Sequence, residues 1–233
     1  MSDNITAGFP AILDETNPSG SLGMTYTSPD GRRYRYARAG AVALTVGNVL
    51  QAAAETTAHE NLAFAAAALG AKTVTTTTTV TVTANQYAGG YISVGVTPDL
   101  GAVYKIKSHP AATAATLTLT LSEALRTAWT TATRADLVAN PYGAVIVAPT
   151  SPTGVLVGVA VNDLAINGYG WIQVQGPCNV LADSAGVSVA SEVSLSNATN
   201  GAVETFVSGQ QVIGRAMSGI SASENGLIYL DLS

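Results

Sequence analysis

The amino-acid sequence predicts an all-β protein: a β-barrel or sandwich base domain, a second β-domain inserted into it, and an extended N-terminal arm. Three observations predict this. The segment Leu156 to Gln175, LVGVAVNDLAINGYGWIQVQ, returns 56 positions later (214 − 158 = 56) as VIGRAMSGISASENGLIYLD, Val212 to Asp231. Gly158/Gly214, Ala160/Ala216, Gly170/Gly226 and Ile172/Ile228 are identical, and Val157/Ile213, Leu164/Ile220, Trp171/Leu227 and Val174/Leu230 stay apolar. Strand, small polar turn, glycine and second strand recur in that order, so the chain holds two copies of one hairpin-like unit. Second, Thr73 to Thr83, TVTTTTTVTVT, has threonine at every odd position, a period of two that only a strand satisfies. Third, charged residues are 11% and aromatics 6% of the 233, while Ala, Thr, Val, Gly and Ser dominate, which suits sheets and close protein contacts.

The elements follow in order. Residues 1–30 lack periodicity and carry Pro10, Pro18 and Pro29, so they read as an arm, either a frayed tail or a segment whose order comes from docking Phe9, Ile12, Leu13, Leu22 or Met24 on another surface. Tyr34 to Leu50 gives one or two strands around Gly40. Ala52 to Leu69 has the composition of a short helix. Upstream of each glycine-centred strand stands a polar-to-apolar strand entry, Gly47 to Leu50 and Ser191 to Leu195. From Val49 to Gly158 is 109 positions and from Val193 to Gly214 only 21, so the first copy carries about 88 extra residues, too many for a structureless loop. That excess places an inserted β-domain at residues 57–142 and a base domain at 31–56 plus 143–233. Within the insertion, Tyr91 to Val96, Val103 to Lys107 and Thr116 to Leu121 are strands, with a turn at Pro98-Asp99. Ser122 to Thr133 fits helix or strand. Asn140-Pro141-Tyr142-Gly143 is a turn back to the base domain, whose further strands are Ala144 to Ala148, Val155 to Val161, Val180 to Leu181, Val187 to Val189 and Val203 to Val207.

Composition also bounds function. A formal charge of −5 opposes general binding to nucleic acid or an anionic membrane. No run approaches the ~18–20 apolar residues of a membrane helix, and no secretory signal is visible, so maturation in the cytoplasm of the producing cell is expected. Arg32, Arg33, Arg35 and Arg38 are four of ten basic residues and interleave with Tyr34 and Tyr36. They read either as an arginine-aromatic patch for an acidic partner or phosphate, or as a solvated strand with tyrosine on one face. Cys178 has no partner for a disulfide and no activating base beside it. His59 and His109 have no carboxylate or cysteine at metal-ligand spacing and read as turn or surface histidines. No GxSxG, GxxxxGK or strand-linked GxGxxG occurs, Asp14-Glu15 lie in the arm, and the patterns Asn4-Ile5-Thr6 and Asn197-Ala198-Thr199 would need a secretory route to be glycosylated. Neither catalytic residues nor a cofactor or metal is expected.

The strings GRRYRYARAGAVALTVGNVL, TANQYAGGYISV with YKIKSHP, NPYGAVIVAPTSPTG, GYGWIQVQGPCNVLAD and QQVIGRAMSG resemble structural proteins of tailed bacteriophages, nearest the capsid decoration, or cement, proteins. The resemblance implies a non-enzymatic virion protein on the capsid exterior, made in the host bacterial cytoplasm. It would bind the major capsid protein and neighbouring copies of itself. A homotrimer is expected by resemblance, with a dimer second. The arm residues and the four arginines would make the contacts. A phage fibre or spike that binds a receptor or glycan is the alternative, with Trp129, Tyr169 and Trp171 as stacking platforms.

Overall fold

The computed structural model describes residue 16 and residues 18–232. Strand accounts for 43% of it and helix for 1%, so the fold is all-β. The chain forms two compact units, Met1–Ala54 with Pro141–Ser233, and Glu55–Asn140.

The chain opens with β1 (Thr25–Thr27), β2 (Arg33–Arg38) and β3 (Val49–Gln51). The second unit then contributes β4 (Leu62–Ala63), β5 (Thr73–Thr77), β6 (Thr81–Val82), β7 (Tyr91–Val94), β8 (Val103–Ser108), β9 (Ala112–Thr113), β10 (Thr116–Leu121) and β11 (Arg134–Val138). Six of them form one sheet in the order β4-β11-β7-β8-β10-β5, and the bridge Phe64↔Thr76 brings its edges together into a nearly closed barrel. The alternation of Val74, Thr76, Leu117, Leu119 and Ile92 aims one face of each strand inward, where they bury with Tyr104, Phe64 and Trp129.

Four expectations for this unit are corrected. Ala52 to Leu69 holds only a single 3-10 turn, Thr57–His59, followed by β4, because its alanines never separate onto one face that a helix could bury. The threonine run is two strands rather than one: β5 ends at Thr77 and β6 begins at Thr81, with Val80 exposed between them. Ser122 to Thr133 is neither helix nor strand, held instead by the bridge Ala67↔Trp129. β11, beside β4 and β7, was not expected at all, since Arg134 and Asp136 mask its alternation of Ala135 and Leu137.

The first unit resumes with β12 (Ile146–Val147), β13 (Leu156–Ala160), β14 (Tyr169–Leu181), β15 (Glu192–Leu195), β16 (Val203–Thr205), β17 (Val212–Ala216) and β18 (Asn225–Asp231). Val180 and Leu181 are thus the end of a 13-residue strand, and Val187 makes a single bridge to Ile220 rather than a strand. The sheet order β12-β3-β13-β14-β18-β17-β15-β16 describes a half-barrel and reads as a palindrome. Its first four strands are one copy of a motif and its last four a second, related by a pseudo-twofold axis. The axis passes through the pair Gln175↔Asp231: Gly176 pairs with Leu230, and on the other side Leu232 N–H donates to Val174 O at 2.9 Å.

Matched backbone contacts extend the repeat well beyond the hairpins. The bridges Ala39↔Val145 and Leu44↔Leu164 recur as Ala182↔Val203 and Val187↔Ile220 (182 − 39 = 143; 220 − 164 = 56). Gly47 N–H donates to Ala160 O, and Ala190 N–H to Ala216 O. β13 meets β14 at Ala160↔Ile172, and β17 meets β18 at Ala216↔Ile228. Leu50 rather than Val49 stands opposite Gly158, as Val193 stands opposite Gly214, so the strand entries align one residue away from the expected pairing. β14 serves both copies: residues 169–175 close the first, and residues 176–181 take in the second the place that β2 holds in the first. Two core clusters lie against the sheet, one around Leu50, Val157 and Ile172 of the first copy and one around Val193, Ile213 and Ile228 of the second that also takes in Val49, Ala148 and Val159 of the first. The second unit contains the same passage a third time. Ala67↔Trp129 matches Leu44↔Leu164, and Gly70 N–H to Leu125 O with Leu125 N–H to Ala71 O matches Gly47 to Ala160 and Ala160 to Asn48.

Candidate interaction surface

The described part of the expected arm is not free chain. β1 lies within residues 1–30, paired with β2 through Tyr26↔Tyr34, and the turn from Ser28 to Gly31 closes a hairpin. The cause is Tyr26, which buries its ring 6.0 Å from that of Tyr34 and 5.9 Å from that of Trp171. Leu22 is half-buried and Met24 is exposed, so the two differ as anchors. Phe9, Ile12 and Leu13 lie outside the described residues.

On β2, strand alternation puts Tyr34 and Tyr36 on the outer face, beside Tyr169 and Trp171 of β14. Tyr36 stacks on Tyr169 at 6.2 Å and meets Trp171 edge-on at 5.3 Å, and Ser19 N–H donates to the Tyr36 hydroxyl at 3.0 Å. Burial pushes the Tyr34 phenol up to about 12.

The four arginines are spent mostly inside the molecule. Arg32 pairs with Asp30 at 2.7 Å; Arg35 donates to Gly23 O at 3.0 Å and to Thr25 Oγ1 at 2.6 Å; Arg38 donates to Asn167 Oδ1 at 2.6 Å; Arg33 reaches Gln175 Oε1 at 3.3 Å. Arg35 also lies over the Tyr142 ring and Arg38 over Tyr169. Interleaving with tyrosine therefore builds a strand whose cations brace neighbouring turns, and all four side chains remain half-exposed. Sequence spacing found the residues but not these acceptors, which lie up to 142 positions away.

Of the three proposed glycan platforms, Trp129 is removed: it is buried against Phe64 and Tyr104 and donates from Nε1 to Asp99 Oδ2 at 3.0 Å. The histidines are not surface residues. His59 is buried with Nδ1 against the Tyr87 hydroxyl, and burial holds its pKa below the ordinary value. His109 is buried too, with Nε2 accepting from Tyr87 N–H at 2.9 Å and Nδ1 against Pro110 O at 2.8 Å. Cys178 is buried, which pushes its thiol up to about 12.

Concavities among the described residues of the first unit include the following two. A cleft of about 680 Å³ is lined by Thr150, Pro152, Val155, Leu195, Gln210 and neighbours, none ionisable, and the Gln210 amide is committed to Glu204 Oε1 at 2.6 Å. A smaller dent of about 270 Å³ lies over Gly214, between Val212, Arg215, Tyr229 and Asp231. Among the described residues no cluster of His, Cys, Asp and Glu is arranged to hold a metal ion, and no helix is long and apolar enough to cross a membrane. Comparison with protein-family models, with curated proteins and with solved structures returned no match.

Proposed function

We propose that the chain is a non-enzymatic virion structural protein that binds the outer surface of a phage capsid and decorates or stabilises it. The observation that carries the reading is a group of exposed apolar side chains at the outer face of β17 and β18, Val212, Leu227 and Tyr229 with Met217 just beyond β17, 39 to 48% exposed beside the charged Arg215 and Asp231, in a chain with few charges. An outward strip of this kind suits a protein whose working state is an assembly. The phage-protein resemblance supplies the setting: the capsid exterior, with the major capsid protein and further copies of itself as partners, and a homotrimer ahead of a dimer. Residues 1–15 with the half-exposed arginines at Arg32 to Arg38 form the anchor, on the shell or on a neighbouring subunit. Exposed pairs to shell carboxylates are each worth under about 1 kcal/mol, and many copies turn them into avidity. Quantitative mass spectrometry of purified particles tests the reading. Hundreds of copies per particle are expected, a handful would favour the fibre or spike alternative, and absence would end both.

A further inference from the structure

The two copies of the base motif have equivalent outer faces with opposite fates. In the first copy, Tyr34, Tyr36 and Gln173 are buried and Trp171 is half-buried: β1 extends the sheet beside β2, its Tyr26 ring packs on Tyr34 and Trp171, and Ser19 in the segment before it reaches the Tyr36 hydroxyl. The same backbone positions in the second copy are Pro177, Asn179, Tyr229 and Leu227 (34 + 143, 36 + 143, 173 + 56, 171 + 56). There Leu227 and Tyr229 are exposed, Met217 lies across from Leu227, and the dent over Gly214 opens beside Tyr229. What covers the first face is chain immediately before the copy begins. The second copy has no such chain, since what precedes it is β14 itself, already in the sheet.

The largest stretch outside the described residues is 1–15, which carries Phe9, Ile12 and Leu13 within five positions and, extended, spans up to about 50 Å. We propose that the outer face of β17, β18 and the second half of β14 is the docking site for residues 1–15 of a second copy of this chain, with one large apolar side chain of that segment seated in the dent over Gly214. The dent is floored by the Gly214 backbone and walled by the side chains of Val212, Arg215, Tyr229 and Asp231. Reciprocal exchange buries one such face per subunit and closes a symmetric oligomer, leaving no unsatisfied copy. The inference rests on the reading above only in taking the protein as an assembly part, and its test needs no shell.

The test uses full-length protein and light scattering over a wide concentration range. Wild type is expected to associate. An arm variant, Phe9→Ser with Ile12→Ser and Leu13→Ser, and a face variant, Leu227→Ser with Tyr229→Ser, are each expected to be monomeric alone. Their mixture should form a heterodimer, because one supplies an intact face and the other an intact arm. A monomeric wild type, association retained by either variant, or a mixture that stays monomeric would overturn the proposal, the last by assigning the arm to its own chain. A second measurement is independent of whether those variants fold. Phe9→Cys and Leu227→Cys on separate chains should give a disulfide between chains on mixing, and its absence would equally overturn the assignment. Loss of capsid occupancy with solution association intact would count against the decoration reading and leave this one standing.

Discussion

In the first copy of the base motif the strand β13 bends past β14 at Gly158, where an added Cβ would stand 2.6 Å from Gln173 O; in the second, β17 passes β18 at Gly214, where it would stand 2.3 Å from Tyr229 O. Both glycines sit at a register shift against the neighbouring strand, β3 or β15. The copies diverge elsewhere. β15 and β16 are joined by seven residues, 196–202, whereas between the corresponding β3 and β12 stands the entire second unit. One backbone plan therefore fixes the close approaches that let the strands cross, and leaves hairpin tips and outer faces free to change. Positions that must match are those where backbone meets backbone; positions free to vary are those where it meets solvent.

That comparison can be broken most directly at the glycines. Gly214→Ala and Gly158→Ala should each cost about 3 kcal/mol, since the intruding methyl meets a carbonyl oxygen rather than a movable side chain, and chemical denaturation would read it. A silent substitution at one of the two would dissolve the equivalence. Next in size, Trp129→Phe removes the indole that joins Phe64, Tyr104 and Asp99 and should destabilise the second unit by about 2 kcal/mol. Near-equal loss in the first unit, followed through Trp171 fluorescence, would contradict two independent cores.

The units should also separate by pH. Burial lowers the folded-state pKa of His59 below 6.5, so the folded second unit binds fewer protons than the unfolded chain. The contribution of a neutral His59 is complete above 6.5 and is lost as pH falls from there toward the lowered value. In a Trp171→Phe background, Trp129 fluorescence should report a lower melting temperature at pH 5 than at pH 7, and His59→Gln should flatten that dependence. The smallest effect concerns the tight turn shared by all three passages. Gly47 and Gly70 fill it with φ of 84° and 85°, whereas Ala190 stands there with φ of 64°. Ala190→Gly should therefore stabilise by up to about 1 kcal/mol, read as a shift in the denaturation midpoint.

Much of this plan was legible because glycine and alternation are local signals. Gly158 and Gly214 announced the hairpins, and the jump from 21 to 109 positions announced an interruption. The first halves of the copies were not legible: the match of Ala39 to Ala182 and Leu44 to Val187 rests on single bridges, which constrain the backbone without fixing side-chain identity. The third passage, at Ala67 and Trp129, was hidden for the same reason, with Ala67 where the others place Leu44 and Val187. At the candidate surface, spacing identified Arg32 to Arg38, while the acceptors that engage them, Gly23 O, Asn167 and Gln175, are set by tertiary pairing. Burial of Tyr26 was invisible because a three-residue strand between turns carries no period.

The split hairpin also bears on how the chain matures as it leaves the ribosome. β2 and β3 emerge early, yet Arg38 must wait for Tyr169 and Leu50 for Gly158, so their partners arrive more than a hundred residues later. The second unit is complete once β11 has been made, before any of those pairings can form, and domains acquire structure as units during synthesis. The second copy, with its short connections, forms from one contiguous tail. The first copy can close only when β13 and the first half of β14 have followed the second unit, with the second copy still to be made, and slow closure over such separations is where long-range pairing is most exposed to error. The oldest strands of the sheet thus meet their partners only after a whole foreign unit has passed between them.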